Sequence, residues 1–182
     1  MEFIPITSKP MNHTAAERDV ESLIVEHESS LPDWAPKDAL ASFFHETMAP
    51  WNDTAEDVEA ALEYLFSEAE GKGGFLTLMR VDGKLGGAVA MLETGMAGYV
   101  PSHILLFATI HPAARGGGLG TRLIQLALDH CPGDVKLHVE YDNPAKRLYK
   151  RLGFTSKYAE LRYQQPAARS SDEGQAAEQL GQ

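Results

Sequence analysis

The run Ile110-His111-Pro112-Ala113-Ala114-Arg115-Gly116-Gly117-Gly118-Leu119-Gly120-Thr121 decides how this chain is read, because an apolar segment empties through it into a glycine-rich turn and then an amphipathic segment. Upstream, His103 to Ile110 is apolar and of strand length. Downstream, Leu119, Leu123, Ile124, Leu126, Ala127 and Leu128 recur at helical spacing as far as His130, and Pro132-Gly133 closes the segment. The pattern predicts strand, tight turn, helix. Glycines let the backbone bend sharply and approach a ligand without a Cβ in the way, while a helix start offers unpaired amides and the positive end of its dipole. Together these make a cradle for an anion, in which a diphosphate would sit. Two other phosphate-binding patterns fail. The dinucleotide spacing G-x-G-x-x-G meets Thr121 or Leu123 where its last glycine belongs, and no Gly-Lys-Ser/Thr follows.

Working outward, Phe75 to Val81 and Leu85 to Glu93 are apolar runs joined by Asp82-Gly83, a hairpin signature. Ahead of them, Phe3 to Thr7 reads as an edge strand around Pro5, and Thr14 to Glu28 as a helix from the spacing of Val20, Leu23, Ile24 and His27. Ala39 to Met48 reads as a helix stopped by Pro50, and Thr54 opens another that runs to about Ala69, with Thr54 and Asp57 as its capping pair. After the glycine turn and its helix come a short strand Val135 to Val139, a basic helix Pro144 to Leu152 closed by Gly153, and a final strand Phe154 to Tyr163. Gln164 to Gln182 is rich in Ala, Gln, Ser and Glu without apolar periodicity, so the expectation is one domain over 1–163 and a disordered tail over 164–182.

Composition narrows the function classes. At 182 residues and 43% apolar the chain has ordinary means for one soluble core, and a net charge of −10 argues against a nucleic-acid surface while favouring cationic substrates. Cys131 is the only cysteine, which rules out an intrachain disulfide and fits a reducing cytoplasm. Its place at a helix C-terminus favours inert packing over a covalent acyl carrier. The start of the chain lacks a basic segment followed by a long apolar one, and no apolar run is long enough for a bilayer, so a cytoplasmic protein without membrane partner is expected. The histidines show no helical ligand spacing, and no metal is expected. A homodimer is left open.

Arg115-Gly116-Gly117-Gly118-Leu119-Gly120 matches an Arg/Gln-x-x-Gly-x-Gly/Ala signature, and Asn143-Pro144-Ala145-Lys146-Arg147-Leu148-Tyr149-Lys150-Arg151-Leu152-Gly153-Phe154 matches a second one with an Asn start, Leu-Tyr and a closing Gly-Phe. The pair resembles the GNAT superfamily of acetyl-CoA-dependent N-acetyltransferases over roughly Phe3 to Tyr163. That resemblance implies an α/β (α+β) domain with a mixed, mostly antiparallel central sheet flanked by helices and splayed beside the strand before the glycine turn. It implies that main-chain groups of Ile110 pair with the pantetheine arm, that Arg115, Gly116, Gly117, Gly118, Leu119, Gly120 and Thr121 hold the pyrophosphate, and that Asn143 contacts the cofactor arm. Tyr149 takes the place of the proton donor to the departing thiolate.

The match has departures. The family's Asn lies one residue further from the Tyr than Asn143 does, so Asp142 is the alternative contact, and Ile104 stands where some members carry a base carboxylate. Glu93, His103, His111, Glu140 and Asp142, near predicted strand ends, are the remaining base candidates. Trp34, Trp51, Glu46, Asp53, Glu56 and Asp57 fall in the segment that the resemblance assigns to the acceptor side, where loop-pinning and helix-capping roles compete. The expected reaction is acetyl transfer from acetyl-CoA to a primary amine of a small cationic molecule, directly, in a ternary complex. A noncatalytic acyl-CoA-binding sensor and acetylation of protein amines are the alternatives.

Overall fold

In a computed structural model, which describes residues 18–165, the first element is β1 (Val20–Val25), a strand where helical spacing had pointed to a helix over Thr14 to Glu28. The sheet is covered on both faces here. Val20 and Ile24 pack into one core cluster while Leu23 and Val25 pack into the other, so apolar residues on two opposite faces imitate the spacing of one helical stripe. Two helices follow, α1 (Lys37–Thr47) and α2 (Ala55–Leu65). Thr54 caps α2 as expected, its side chain accepting from the Asp57 N–H, but the helix ends at Leu65, short of Ala69.

The hairpin forms as read. β2 (Gly74–Val81) turns through Asp82 and Gly83, both at positive φ, into β3 (Lys84–Glu93). β4 (His103–Ile110), α3 (Leu119–His130), β5 (Val135–Leu137) and α4 (Lys146–Arg151) complete the order. Among the described residues the strands make one sheet in the order β1-β2-β3-β4-β5, antiparallel except for the parallel pair β4 and β5. On one face, Leu40, Phe44, Val58 and Leu62 of α1 and α2 bury against Leu76, Leu78, Ala90 and Phe107. On the other, Leu123, Ile124 and Ala127 of α3 bury against Met79, Val89, Met91 and Leu105.

Two irregularities of β4 position the site. Ala90 faces Phe107 and Met91 faces Leu105, so Leu106 is an extra residue, a bulge that reverses the alternation of side chains. Leu105 lies with the α3 face, Leu106 and Phe107 lie with the α1/α2 face, and Ala108 and Ile110 return to the α3 face. In addition, β5 pairs with β4 only from His103 to Leu105. From Leu106 to Ile110 that edge has no strand partner among the described residues, and the sheet is open there, beside the strand that leads into the glycine turn.

The C-terminal expectations need correction. β5 stops at Leu137 rather than Val139, α4 starts at Lys146 rather than Pro144, and no strand forms over Phe154 to Tyr163. Tyr158, Leu161 and Tyr163 are exposed, Leu161 at 95%, because a three-residue β5 gives a following strand almost nothing to pair with. The edge strand read at Phe3 to Thr7 lies outside the described residues, as does the tail beyond Gln165. No helix among the described residues is long and apolar enough to cross a membrane.

Candidate functional site

Beyond Ile110 the chain makes a single 3-10 turn, Pro112–Ala114, capped by the His111 side chain, which accepts from the Ala113 N–H, and anchored by the buried Ala114. The glycine turn follows. Gly116 and Gly118 stand at φ +93° and +76°, and Gly118 caps α3 in the left-handed conformation. A Cβ at Gly116, Gly117 or Gly118 would meet nothing within 4 Å, so the outer surface of the turn is open space. The first hydrogen bond of α3 runs from the Arg122 N–H to the Gly118 carbonyl at 3.1 Å. The amides of Leu119, Gly120 and Thr121 therefore form the unpaired first turn, and no acidic side chain sits there to occupy them.

This opening lies against the end of β4. A Cβ at Gly120 would touch Ile110 Cγ1 and Leu148 Cδ2, each at 3.6 Å, which places the start of α3, the end of β4 and α4 side by side. Gly87 on β3 is needed for the same approach, since a Cβ there would lie 2.5 Å from Ile110 Cδ1. The His111 N–H bonds back to the Gly86 carbonyl on β3, so the main-chain groups of the preceding Ile110 face the open edge.

Arg115 behaves differently from an outstretched anion clamp. Its Nε donates to the Ile110 carbonyl at 2.9 Å and its Nη2 to the Thr47 carbonyl at 2.8 Å. Beneath it the buried Thr109 hydroxyl donates to Thr47 Oγ1 at 2.9 Å, and Thr47 donates onward to the Phe43 carbonyl. The C-terminus of α1 is thereby tied to the last residues of β4, and of the Ile110 main-chain pair the N–H is the group left toward the opening. Sequence reading missed this network, since nothing in local spacing pairs residues 62 positions apart.

Tyr149 sits on α4 with 8% of its surface exposed, its ring packed edge-on against Phe154 at 5.8 Å. Its hydroxyl bonds to no described residue. Burial first, and the Glu140 carboxylate second, push its pKa up to about 12, which keeps the phenol a donor at neutral pH. Asn143 is used locally: its Oδ1 accepts from the Ala145 N–H at 2.9 Å and its Nδ2 donates to Glu140 at 3.4 Å, shaping the turn before α4. Asp142 is exposed beside it.

The base candidates separate cleanly. Glu93 and His103 face each other across β3 and β4 at the far end of the strand, about 23 Å from Ile110 at a strand's rise per residue. His111 stands at the glycine-turn end, stacked on Phe43 of α1. Another imidazole, not singled out in the sequence, is His45 of α1, whose Nδ1 lies 3.0 Å from the Asp53 carbonyl. Of the acceptor-side residues, Asp57 serves the Thr54 cap and Trp34 packs on the α1/α2 core. Cys131 donates to the Ala127 carbonyl, and burial raises its thiol to about 11, the opposite of an activated nucleophile.

Comparison with known proteins agrees with this architecture. The family model described as acetyltransferase (GNAT) family matches residues 37–154, more than half of the chain. A mycothiol acetyltransferase of Actinosynnema mirum is 46% identical over 59 residues, which cover 30% of this chain and 20% of that protein. The chain thus spans about a fifth of the length of the curated relatives it matches. Among solved structures, aminoglycoside N-acetyltransferase AAC(6')-Iy in complex with CoA superposes with a TM-score of 0.57 at 12% identity, covering 83% of this chain and 96% of that one. A ribosomal-protein-alanine N-acetyltransferase from Brucella melitensis superposes with a TM-score of 0.51 at 17% identity, covering 81% and 99%. Proteins named for such different acceptors share the fold, so the fold alone does not choose an acceptor.

Proposed function

Because this chain belongs to the acetyltransferase (GNAT) family, we propose that it is an acyltransferase that transfers an acetyl group from acetyl-CoA to a primary amine of a small cationic molecule, directly, within a ternary complex. The reading is supported by the free amides of Leu119, Gly120 and Thr121, by the Ile110 N–H on the unpaired edge of β4, and by Tyr149 on α4, whose neighbour Leu148 approaches Gly120 at the start of α3.

Acetyl-CoA, when bound, supplies an activated acyl thioester and a diphosphate. The backbone of Arg115 to Thr121 suits the diphosphate, because open glycine surface lets main-chain N–H groups approach it while the α3 dipole favours its charge. The Ile110 N–H is the donor available to the developing oxyanion. As the amine nitrogen bonds to the acyl carbon and the carbon–sulfur bond breaks, Tyr149 gives its proton to sulfur, and the proton shed by the amine restores the phenol through water. A phenol held protonated suits this role, being a donor that does not titrate at neutral pH. Asn143 and Asp142 adjoin α4, where Asn143 supports the turn that presents Tyr149. Arg115 acts on the site by holding α1 against β4.

A small cationic acceptor is supported by the net charge of −10. The test is thiol release from acetyl-CoA with a panel of small amines and lysine peptides. Release stimulated by small cationic amines is the expected result. Stimulation only by peptides would move the acceptor to protein amines, and tight coenzyme binding without release would make the domain a sensor.

A further inference from the structure

At the end of β4 away from the glycine turn lies a cavity of about 530 Å³ that the acyl-transfer reading does not use. Its apolar walls include Phe66, after α2, and Phe75 of β2; its polar lining includes Glu26, Glu93, His103 and His130. Two glycines open it. Gly73 and Gly74 stand at φ +133° and +155°, and a Cβ at Gly74 would lie 2.1 Å from the Met91 carbonyl oxygen, so the chain can enter β2 here only without side chains. The nearest atom to a Cβ at Gly73 is Glu93 Oε2, at 3.6 Å, which leaves that carboxylate facing the bare backbone.

His103 gives the cavity its buried polar group. It is 5% exposed, lines the cavity, and stands opposite Glu93 in the β3–β4 register. Its Nδ1 lies 3.0 Å from Ser102 Oγ, which in turn donates to the Asp134 carbonyl at 3.3 Å. A carbonyl can only accept, so the arrangement that satisfies both contacts has Ser102 donating to Asp134 and accepting from Nδ1–H, and in the neutral ring Nε2 then carries the lone pair. Nε2 bonds to no described residue and is not among the fully enclosed polar atoms of this cavity-lining side chain. Nearby, His130 Nε2 is held on Glu26 at 2.9 Å with its ring against Phe75.

The lining therefore presents acceptors, the Nε2 of His103 and the carboxylate of Glu93, beside aromatic walls, and no lysine or arginine among the described lining residues competes for them. The His, Asp and Glu side chains do not converge as a set able to hold a metal ion among the described residues. The geometry points to a second binding site, for a small organic ammonium ion, in which Glu93 and His103 receive the N–H donors and Phe66 and Phe75 cover the alkyl body. It stands at the opposite end of β4 from the acetyl-transfer opening and does not depend on that reading.

The test is titration of the full chain with n-butylammonium, with n-butanol and n-butyrate as uncharged and anionic counterparts, followed by calorimetry and by the histidine ring signals in NMR. Butylammonium is expected to bind and to shift the His103 resonances, and the two counterparts are expected not to. Glu93→Gln and His103→Gln should each weaken binding about tenfold or more, the loss of one charge-assisted contact. Glu93 is an exposed side chain, so Glu93→Gln carries the test if His103→Gln fails to fold. Equal affinity in Glu93→Gln and the parent, equal binding of butanol, or no binding at high millimolar butylammonium each overturns the site.

Discussion

Replacing Gly118 by alanine separates what the glycine turn does for folding from what it does for a ligand. The residue stands at φ +76° and ψ 0°, and an added Cβ would meet nothing within 4 Å, so the whole folding cost is backbone strain. Holding an L-residue in the left-handed region costs about 1–2 kcal/mol. For a domain of this size that lowers Tm by roughly 2–8 °C. Gly83, in the β2–β3 turn, stands at φ +80° with equally open space, and Gly83→Ala should lose the same stability. The two variants must part in ligand binding. Gly118 is the N-cap of α3, so on the anion-cradle reading the new methyl group stands beside the first-turn amides, and the loss of even one charge-assisted hydrogen bond, about 1.5–3 kcal/mol, weakens binding about tenfold to a hundredfold. Gly118→Asn sharpens the comparison, because Asn tolerates the left-handed region and caps helices well, restoring stability without reopening the space. Scanning calorimetry gives the first quantity and titration with acetyl-CoA the second. Equal acetyl-CoA affinity in Gly118→Ala and Gly83→Ala would refute the anion cradle, and unequal Tm losses would refute the strain argument.

Tyr149→Phe should lower kcat by about a hundredfold or more while leaving acetyl-CoA affinity unchanged, since a general acid acts in the transition state; unaltered turnover removes Tyr149 from the chemistry. The same phenol has a pKa raised from 10.0 to about 12, so its contribution to stability is fully present below pH 10 and is lost as pH rises toward 12, where the unfolded chain releases the proton first. Urea midpoints across that window should fall more steeply for the parent than for Tyr149→Phe. Thr47→Val strips the Thr109 hydroxyl of its buried partner and should cost about 1–3 kcal/mol in denaturant unfolding, whereas Thr109→Val leaves Thr47 still bonded to Phe43 and should cost less. Adding Thr109→Val to Thr47→Val should recover part of the loss; a strictly additive pair would show that the two hydroxyls do not act as a unit.

Segments whose sequence carried its own boundary signals were legible. The glycine turn, Pro132-Gly133 and Asp82-Gly83 punctuate the chain where β4, α3 and the β2–β3 hairpin begin and end. β1 was misread because a strand buried on both faces has no period of two to find. The strand expected over Phe154 to Tyr163 has alternating residues but no neighbour, and pairing is not written in the strand itself. In the site, the glycine turn and the helix that it opens followed from spacing. The direction of Arg115 did not, because its partner Thr47 lies across the fold, and a cation beside a glycine turn reads locally as a ligand contact.

The bulge at Leu106 explains why one strand can serve both walls of the opening. With Leu105 on the α3 face, unbroken alternation would carry Phe107 and Thr109 to that face too, and Ile110 to the face of α1. One extra residue exchanges them. Thr109 then meets Thr47, which with Arg115 fixes the end of α1, and Ile110 approaches Gly120 at the start of α3, which Leu148 of α4 also approaches. The α1 wall and the glycine-turn wall of the opening are thus set by neighbouring residues of a single strand, on opposite faces, next to an edge that β5 leaves open. A change that slipped β4 by one residue would undo both attachments together.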